Sequence, residues 1–189
     1  MPRVVDPEQR RAEIAYGVIT VAAEQGLAAV SLRSVAAAAG VSMGRVQHYF
    51  ADKDELVRHA CRLVLTRAQQ QFESAAAEAG PRENLRNLLV MALPASASAR
   101  RGTSVWYAFI GAATTDPDLA ALIREGWQGM QDTATDLVRQ AAGSAVDAVA
   151  AGHALTASAD GLVLRVLLGT LTVAEATATI DAELDRWLG

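Results

Sequence analysis

Residues Ser31 to Lys53, SLRSVAAAAGVSMGRVQHYFADK, constrain this chain more tightly than any other stretch. Leu32, Val35 and Ala36, extended by Ala39, have the spacing of a short helix with one apolar face. Gly40 stands where that helix must stop, since glycine alone enters the left-handed cap conformation without steric cost. Ser42 then offers a hydroxyl to cap a second helix. From Met43 to Phe50 only Val46, Tyr49 and Phe50 suit a core, which leaves Met43, Gly44, Arg45, Gln47 and His48 facing outward. A helix with Arg and Gln on its exposed side, propped across a shorter one, is how a helix-turn-helix enters the major groove. The stretch points to double-stranded DNA.

The rest of the chain reads as all-α. Alanine dominates, and runs of β-branched residues are short. Asp6-Pro7 starts a helix, Ile14, Val18, Val21 and Ala22 give its stripe, and Gly26 ends it. Gly17 lies inside that helix and suggests close packing. Asp52 and Glu55 have capping-box spacing ahead of a long helix over 53–79, which Gly80-Pro81 breaks. Further helices are expected over 82–95, 103–114, 116–142, 146–169 and 173–188, with 96–102 and Gly143-Ser144 as loops. The reading gives an N-terminal three-helix helix-turn-helix domain over 1–53, and a C-terminal helical domain for ligand binding and dimerisation over 54–189.

Charge agrees with that division. Residues 1–72 hold nine basic and seven acidic side chains, and 73–189 hold eight and fourteen. A mildly basic head therefore precedes an acidic body, which phosphate would repel. Near the C-terminus, Leu155, Leu162, Val163, Val166 and Leu167, then Ile180, Leu184, Trp187 and Leu188, carry more apolar surface than one covering face requires. Two such helices suit a four-helix homodimer interface, although packing within their own domain would use them too. No apolar run is long enough to span a membrane, and MPRVVDPEQRR lacks a leader's apolar segment, so a cytoplasmic protein is expected. Cys61, alone, reads as a half-buried helix residue.

These local signals, in their order, resemble the tetracycline-repressor (TetR) family of bacterial one-component regulators. The resemblance covers Arg11 to Leu65 through Gln25-Gly26, SLRSVAAAAGVS, the M-G-x-V-x-H-Y-F segment and D-K-x-E-L. The body is similar, more loosely, to the betaine-regulator type through VWYAFIGAATTDPDLAALI and ADGLVLRVLLG. The resemblance implies a homodimer joined by the two C-terminal helices, an operator in duplex DNA, and a small-molecule effector of unknown identity. It also implies that Ser31 and Ser42 meet phosphates at helix N-termini and that Arg33 reaches a base edge. Met43 would contact a thymine methyl beside Gly44, while Arg45 and Gln47 suit guanine and adenine edges. His48, Tyr49 and Lys53, the only lysine in the chain, would meet backbone phosphate. Gln47 departs from the tyrosine that many members carry there.

In the middle helices Met91, Trp106, Tyr107, Phe109, Trp127 and Met130 are candidates to line an effector pocket, although a core would use such side chains anyway. A choline-like ligand is what the betaine-type likeness invites. Enzyme chemistry finds little support. His48, His59 and His153 lack metal spacing, no glycine-rich phosphate loop or nucleophile elbow occurs, and no cofactor is expected. The remaining alternative is a helical scaffold without specific DNA binding, which leaves Arg33, Arg45, Gln47 and Lys53 without a common purpose.

Overall fold

A computed structural model describes residues 6–76 and 79–189, and every regular element among them is helical. The helices are α1 (Pro7–Gln25), α2 (Leu32–Ala38), α3 (Met43–Tyr49), α4 (Lys53–Ala76), α5 (Pro81–Val90), α6 (Ala97–Ala113), α7 (Pro117–Ala142), α8 (Ala148–Leu167) and α9 (Val173–Leu188). None is long and apolar enough to cross a membrane. Residues 1–5, which enter the leader reading, and 77–78, expected in α4, lie outside the described residues.

The N-terminal boundaries fall where local chemistry puts them. Asp6 accepts the Glu8 N–H at 3.0 Å to open α1, and Gly40 takes φ +64° to close the turn after α2. Ser31 accepts the Ser34 N–H at 3.0 Å while Ser34 accepts the Ser31 N–H at 2.9 Å, a reciprocal cap on α2. Ser42 accepts the Arg45 N–H at 3.2 Å ahead of α3. Gly17 does permit a close approach: a Cβ there would sit 2.9 Å from the Val35 carbonyl oxygen, where α1 meets α2.

Two boundaries differ from expectation. Residues 97–102 are not a loop but the first turns of α6, because Ser96 accepts the Ala99 N–H at 3.1 Å and caps a stretch in which Ala97, Ala99, Arg100 and Arg101 are good helix formers. Conversely α5 ends at Val90 instead of 95, since Pro94 ahead disfavours helical backbone in the residue before it.

The described residues fall into two compact units, one of residues up to Arg67 with Ser104–Ile123, the other of Ala68–Thr103 with Arg124–Gly189. A division after residue 53 is therefore not the one the packing makes. Leu56, Val57, Ala60 and Cys61 of α4 join Ile14, Val18, Val35, Val46 and Phe50 in one apolar core, which also takes in Val105, Phe109, Leu119 and Ile123. Cys61 is fully buried there, not half-buried, and burial pushes its thiol up to about 11.

In the second unit α5 packs on α8 and α9 through Leu85, Leu88 and Leu89. Thr172 and Glu175 make the expected capping box on α9. Leu155, Leu162, Val163 and Val166 of α8, with Ile180 and Leu184 of α9, are buried within this unit. The large apolar side chains left exposed here are Val149 and Leu164 on α8 and Leu168 just past its end. Arg86 of α5 holds Asp181 of α9 with two bonds, 2.6 and 3.1 Å, which keeps that carboxyl below its ordinary range. Arg82 pairs with Asp185 along the same seam.

Candidate nucleic-acid interface

The second helix of the motif, α3, is two turns long and is anchored on one side only. Val46 and Phe50 are buried in the core of the first unit and Tyr49 is half-buried against it. Met43, Gly44, Arg45, Gln47 and His48 are exposed, as the spacing predicts, with Met43 46% accessible. Helical periodicity puts Gly44 and His48 at the centre of the outward face, Met43 and Gln47 on one flank and Arg45 on the other. The His48 and Tyr49 rings meet edge to face, 5.0 Å between centroids.

The neighbouring elements add their own groups. Ser31 and Arg33, at the start of α2, are exposed, and Lys53 opens α4 half-buried. Gly44 has ordinary helical backbone, and nothing lies within 4 Å of where its Cβ would be. Packing within the protein thus gives no reason for a glycine there.

Sequence reasoning missed Arg11. From α1 its guanidinium donates through Nη1 to the Tyr49 carbonyl oxygen at 2.7 Å, the last residue of α3, and through Nη2 to Glu55 Oε1 at 2.9 Å. It lies 4.6 Å from the Phe50 ring centroid, in cation–π contact. Glu55 accepts the Ala51 N–H on its other oxygen at 2.7 Å, while Asp52 accepts the Glu55 N–H at 2.8 Å. The capping box at α4 is therefore displaced, with Glu55 reaching Ala51 and not Asp52. The Ala51 N–H, then Arg11, hold the Glu55 carboxyl below its ordinary value. His59 packs edge-on to Phe50, and burial followed by the Arg11 charge keeps its imidazole below the ordinary histidine value. Partners 38 and 44 residues away leave no local signal, which is why the sequence did not disclose them.

The expected effector residues divide between the units. Trp106, Tyr107 and Phe109 belong to the first, where Phe109 is wholly enclosed in the apolar core and Trp106 packs against it. Met91, Trp127 and Met130 belong to the second, with Trp127 40% exposed. The second unit also carries a polar groove of about 420 Å³ between α7 and α8, lined by Gln128, Gln131, Asp132, Thr135, Asp136, Arg139, Val149 and His153. None of the six candidates lines it. Among the described residues no group of His, Cys, Asp and Glu gathers as a metal site.

Comparison with known proteins agrees with this geometry. Residues 19–60 match the profile described as bacterial regulatory proteins of the tetR family, and residues 81–189 match that of the BetI-type transcriptional repressor C-terminal domain. The HTH-type transcriptional regulator PksA of Bacillus subtilis is 31% identical over 180 residues, covering 92% of this chain and 86% of PksA. BetI of Pseudomonas paraeruginosa is 30% identical over 175 residues, 91% and 87% of the two chains. A transcriptional regulator from Rhodococcus sp. Rha1 superimposes with a TM-score of 0.85 at 27% identity, covering 94% of this chain and 95% of that one. A regulator of Saccharomonospora viridis in complex with choline has the same fold, with a TM-score of 0.84 at 22% identity over 94% and 96% of the two chains.

Proposed function

Because this chain belongs to the tetR family of bacterial regulatory proteins and carries a BetI-type C-terminal domain, we propose that it is a repressor released from a palindromic operator by a small effector. It is a ligand-responsive, DNA-binding transcriptional regulator that works as a homodimer through α8 and α9. In the repressed state two copies of α3 enter successive major grooves about 34 Å apart. The observation that carries this reading is α3 itself, with Val46 and Phe50 buried beneath it and Arg45 and Gln47 exposed on its outer side.

On this reading Arg45 and Gln47 meet purine edges, Met43 meets a thymine methyl, and Arg33 approaches a neighbouring base. Ser31, Ser42, His48, Tyr49 and Lys53 hold the phosphate backbone and so fix register. The effector binds the C-terminal domain, with Met91, Trp106, Tyr107, Trp127 and Met130 as its candidate contacts. It acts by favouring one arrangement of the two heads over another, a coupling of about 1–3 kcal/mol in typical cases. Residues of α4, α6 and α7 are shared between the two compact units, so these helices are the ones able to carry that preference. The role is regulatory and not catalytic, and its place is the cytoplasm, where the operator lies.

The test is a fluorescence-anisotropy titration against a duplex enriched from a random library by the protein, at two salt concentrations. Binding that survives random competitor supports the reading. Binding that competitor and salt abolish alike turns the chain into a non-specific helical scaffold. Choline is the first effector probe, given the choline-bound structural neighbour. Release of the bound duplex by choline identifies the ligand class, and retention at millimolar choline excludes it.

A further inference from the structure

We propose that Arg11, on the helix before the two-helix motif, is a positioning residue that sets the pose in which α3 meets base edges. The inference rests on α3 being the reading helix. Seven residues cannot hold a helix by themselves, so its orientation comes from what grips it. Its apolar grips, Val46 and Phe50 buried beneath it and Tyr49 half-buried beside them, all lie along one face. A further grip is polar. The carbonyls of the last turn of a helix have no partner within it, and Arg11 takes the one on Tyr49 at 2.7 Å.

The guanidinium is fixed in turn. Its second nitrogen is held by Glu55 at 2.9 Å, its Cζ lies over the Phe50 ring 4.6 Å from the centroid, and Glu55 is tied back to the Ala51 N–H at 2.7 Å. One planar fork thereby joins α1, the end of α3 and the first turn of α4. A lysine ammonium, a point donor on a flexible stem, reproduces the charge but not this geometry. Arg11 is also spent on these partners, with its side chain 25% exposed, whereas Arg33 and Arg45 stand in solvent. It positions the readers and does not read.

The two kinds of DNA contact respond differently to a loosened α3. Phosphate contacts are long-ranged and tolerate small shifts, while a bidentate base contact depends on hydrogen-bond geometry. Losing the clamp therefore lowers affinity for the selected duplex and leaves random-sequence binding nearly unchanged.

The experiment compares wild type, Arg11→Met and Arg11→Lys as full-length dimers. The probes are a duplex enriched by the wild type from a random library and a scrambled duplex, each over a salt series, with active protein titrated first. The expected result is at least about a tenfold fall in the ratio of selected to scrambled affinity for both variants, with the slope of log affinity against log salt unchanged. Arg11→Lys keeps the charge and the stem, so it decides the matter if Arg11→Met does not fold. Equal losses on both duplexes, with a slope smaller by about one for Arg11→Met, would make Arg11 a phosphate contact and overturn the proposal. An unchanged ratio in folded protein overturns it too. A wild type without any preference between duplexes overturns the reading of α3 itself, and this proposal with it.

Discussion

Replacing Gly44 with alanine separates what the fold wants from what DNA wants. Gly44 is the second residue of α3, with negative φ and nothing within 4 Å of an added Cβ. Alanine therefore enters without strain. It narrows the unfolded ensemble and stabilises a helical position by about 0.5–1 kcal/mol. For a chain of this size, that raises the melting temperature by about 1–4 °C. Against DNA the sign reverses. The residue lies at the centre of the outward face, where a methyl group keeps the backbone of α3 away from the groove floor. We expect operator affinity to fall at least about tenfold, equivalent to about 1.4 kcal/mol. Circular-dichroism melting and anisotropy titration on the same preparation measure both quantities. A Gly44→Ala protein that melts higher and binds the selected duplex like wild type refutes close approach at Gly44. One that melts lower refutes the structural premise.

Arg45→Ala should cost about 1–3 kcal/mol on the selected duplex and relax its preference at one base pair, as read by competition with single-substituted duplexes. Lys53→Ala should weaken selected and random duplexes alike and reduce the salt slope by about one, measured by titration across salt. Gly17→Ala pushes a methyl group to 2.9 Å from the Val35 carbonyl oxygen, so crowding outweighs the gain in helix propensity. A net loss of about 1–2 kcal/mol in urea unfolding is expected. The depressed Glu55 carboxyl contributes stability that is complete above its ordinary value of 4.5 and is lost as pH falls through the lower folded value. The stability gap between wild type and Glu55→Gln should therefore close below pH 4.5, and a gap constant from pH 7 to pH 3 contradicts that origin.

What the sequence disclosed was what short-range chemistry controls. Gly40, Ser42 and Asp6-Pro7 act on backbone groups within a few residues, so the ends of α1, α2 and α3 were legible to a residue or two. The outward set on α3 followed from period alone, because Val46 and Phe50 had nowhere to go but the core. The start of α6 was misread because Arg and Ser look like loop residues when counted, although arginine is a good helix former and Ser96 is a cap. Phe109 shows a different limit. An aromatic residue in a middle helix has the same local sequence whether it faces a ligand or a core, and its burial in one core with Ile14 and Val18 is set by chain far from it. Arg11 escaped for the same cause, since its value lies in an acceptor 38 residues away.

The core beneath the reading motif is stitched from chain that is not contiguous. Val105, Phe109, Leu119 and Ile123 arrive more than thirty residues after Arg67 and complete it. The head is consequently not a cassette. A chimaera spliced after residue 67 strips it of these four buried apolar side chains, and one spliced after 53 removes Leu56, Val57, Ala60 and Cys61 as well, leaving a patch of raw core facing water. Exchange of sensor bodies between such regulators, by recombination or by a protein engineer, has to carry the 104–123 segment along with the head or rebuild its fit. Residues 104–123 thus belong with the DNA-reading helices in packing, though they follow them at a distance in the chain.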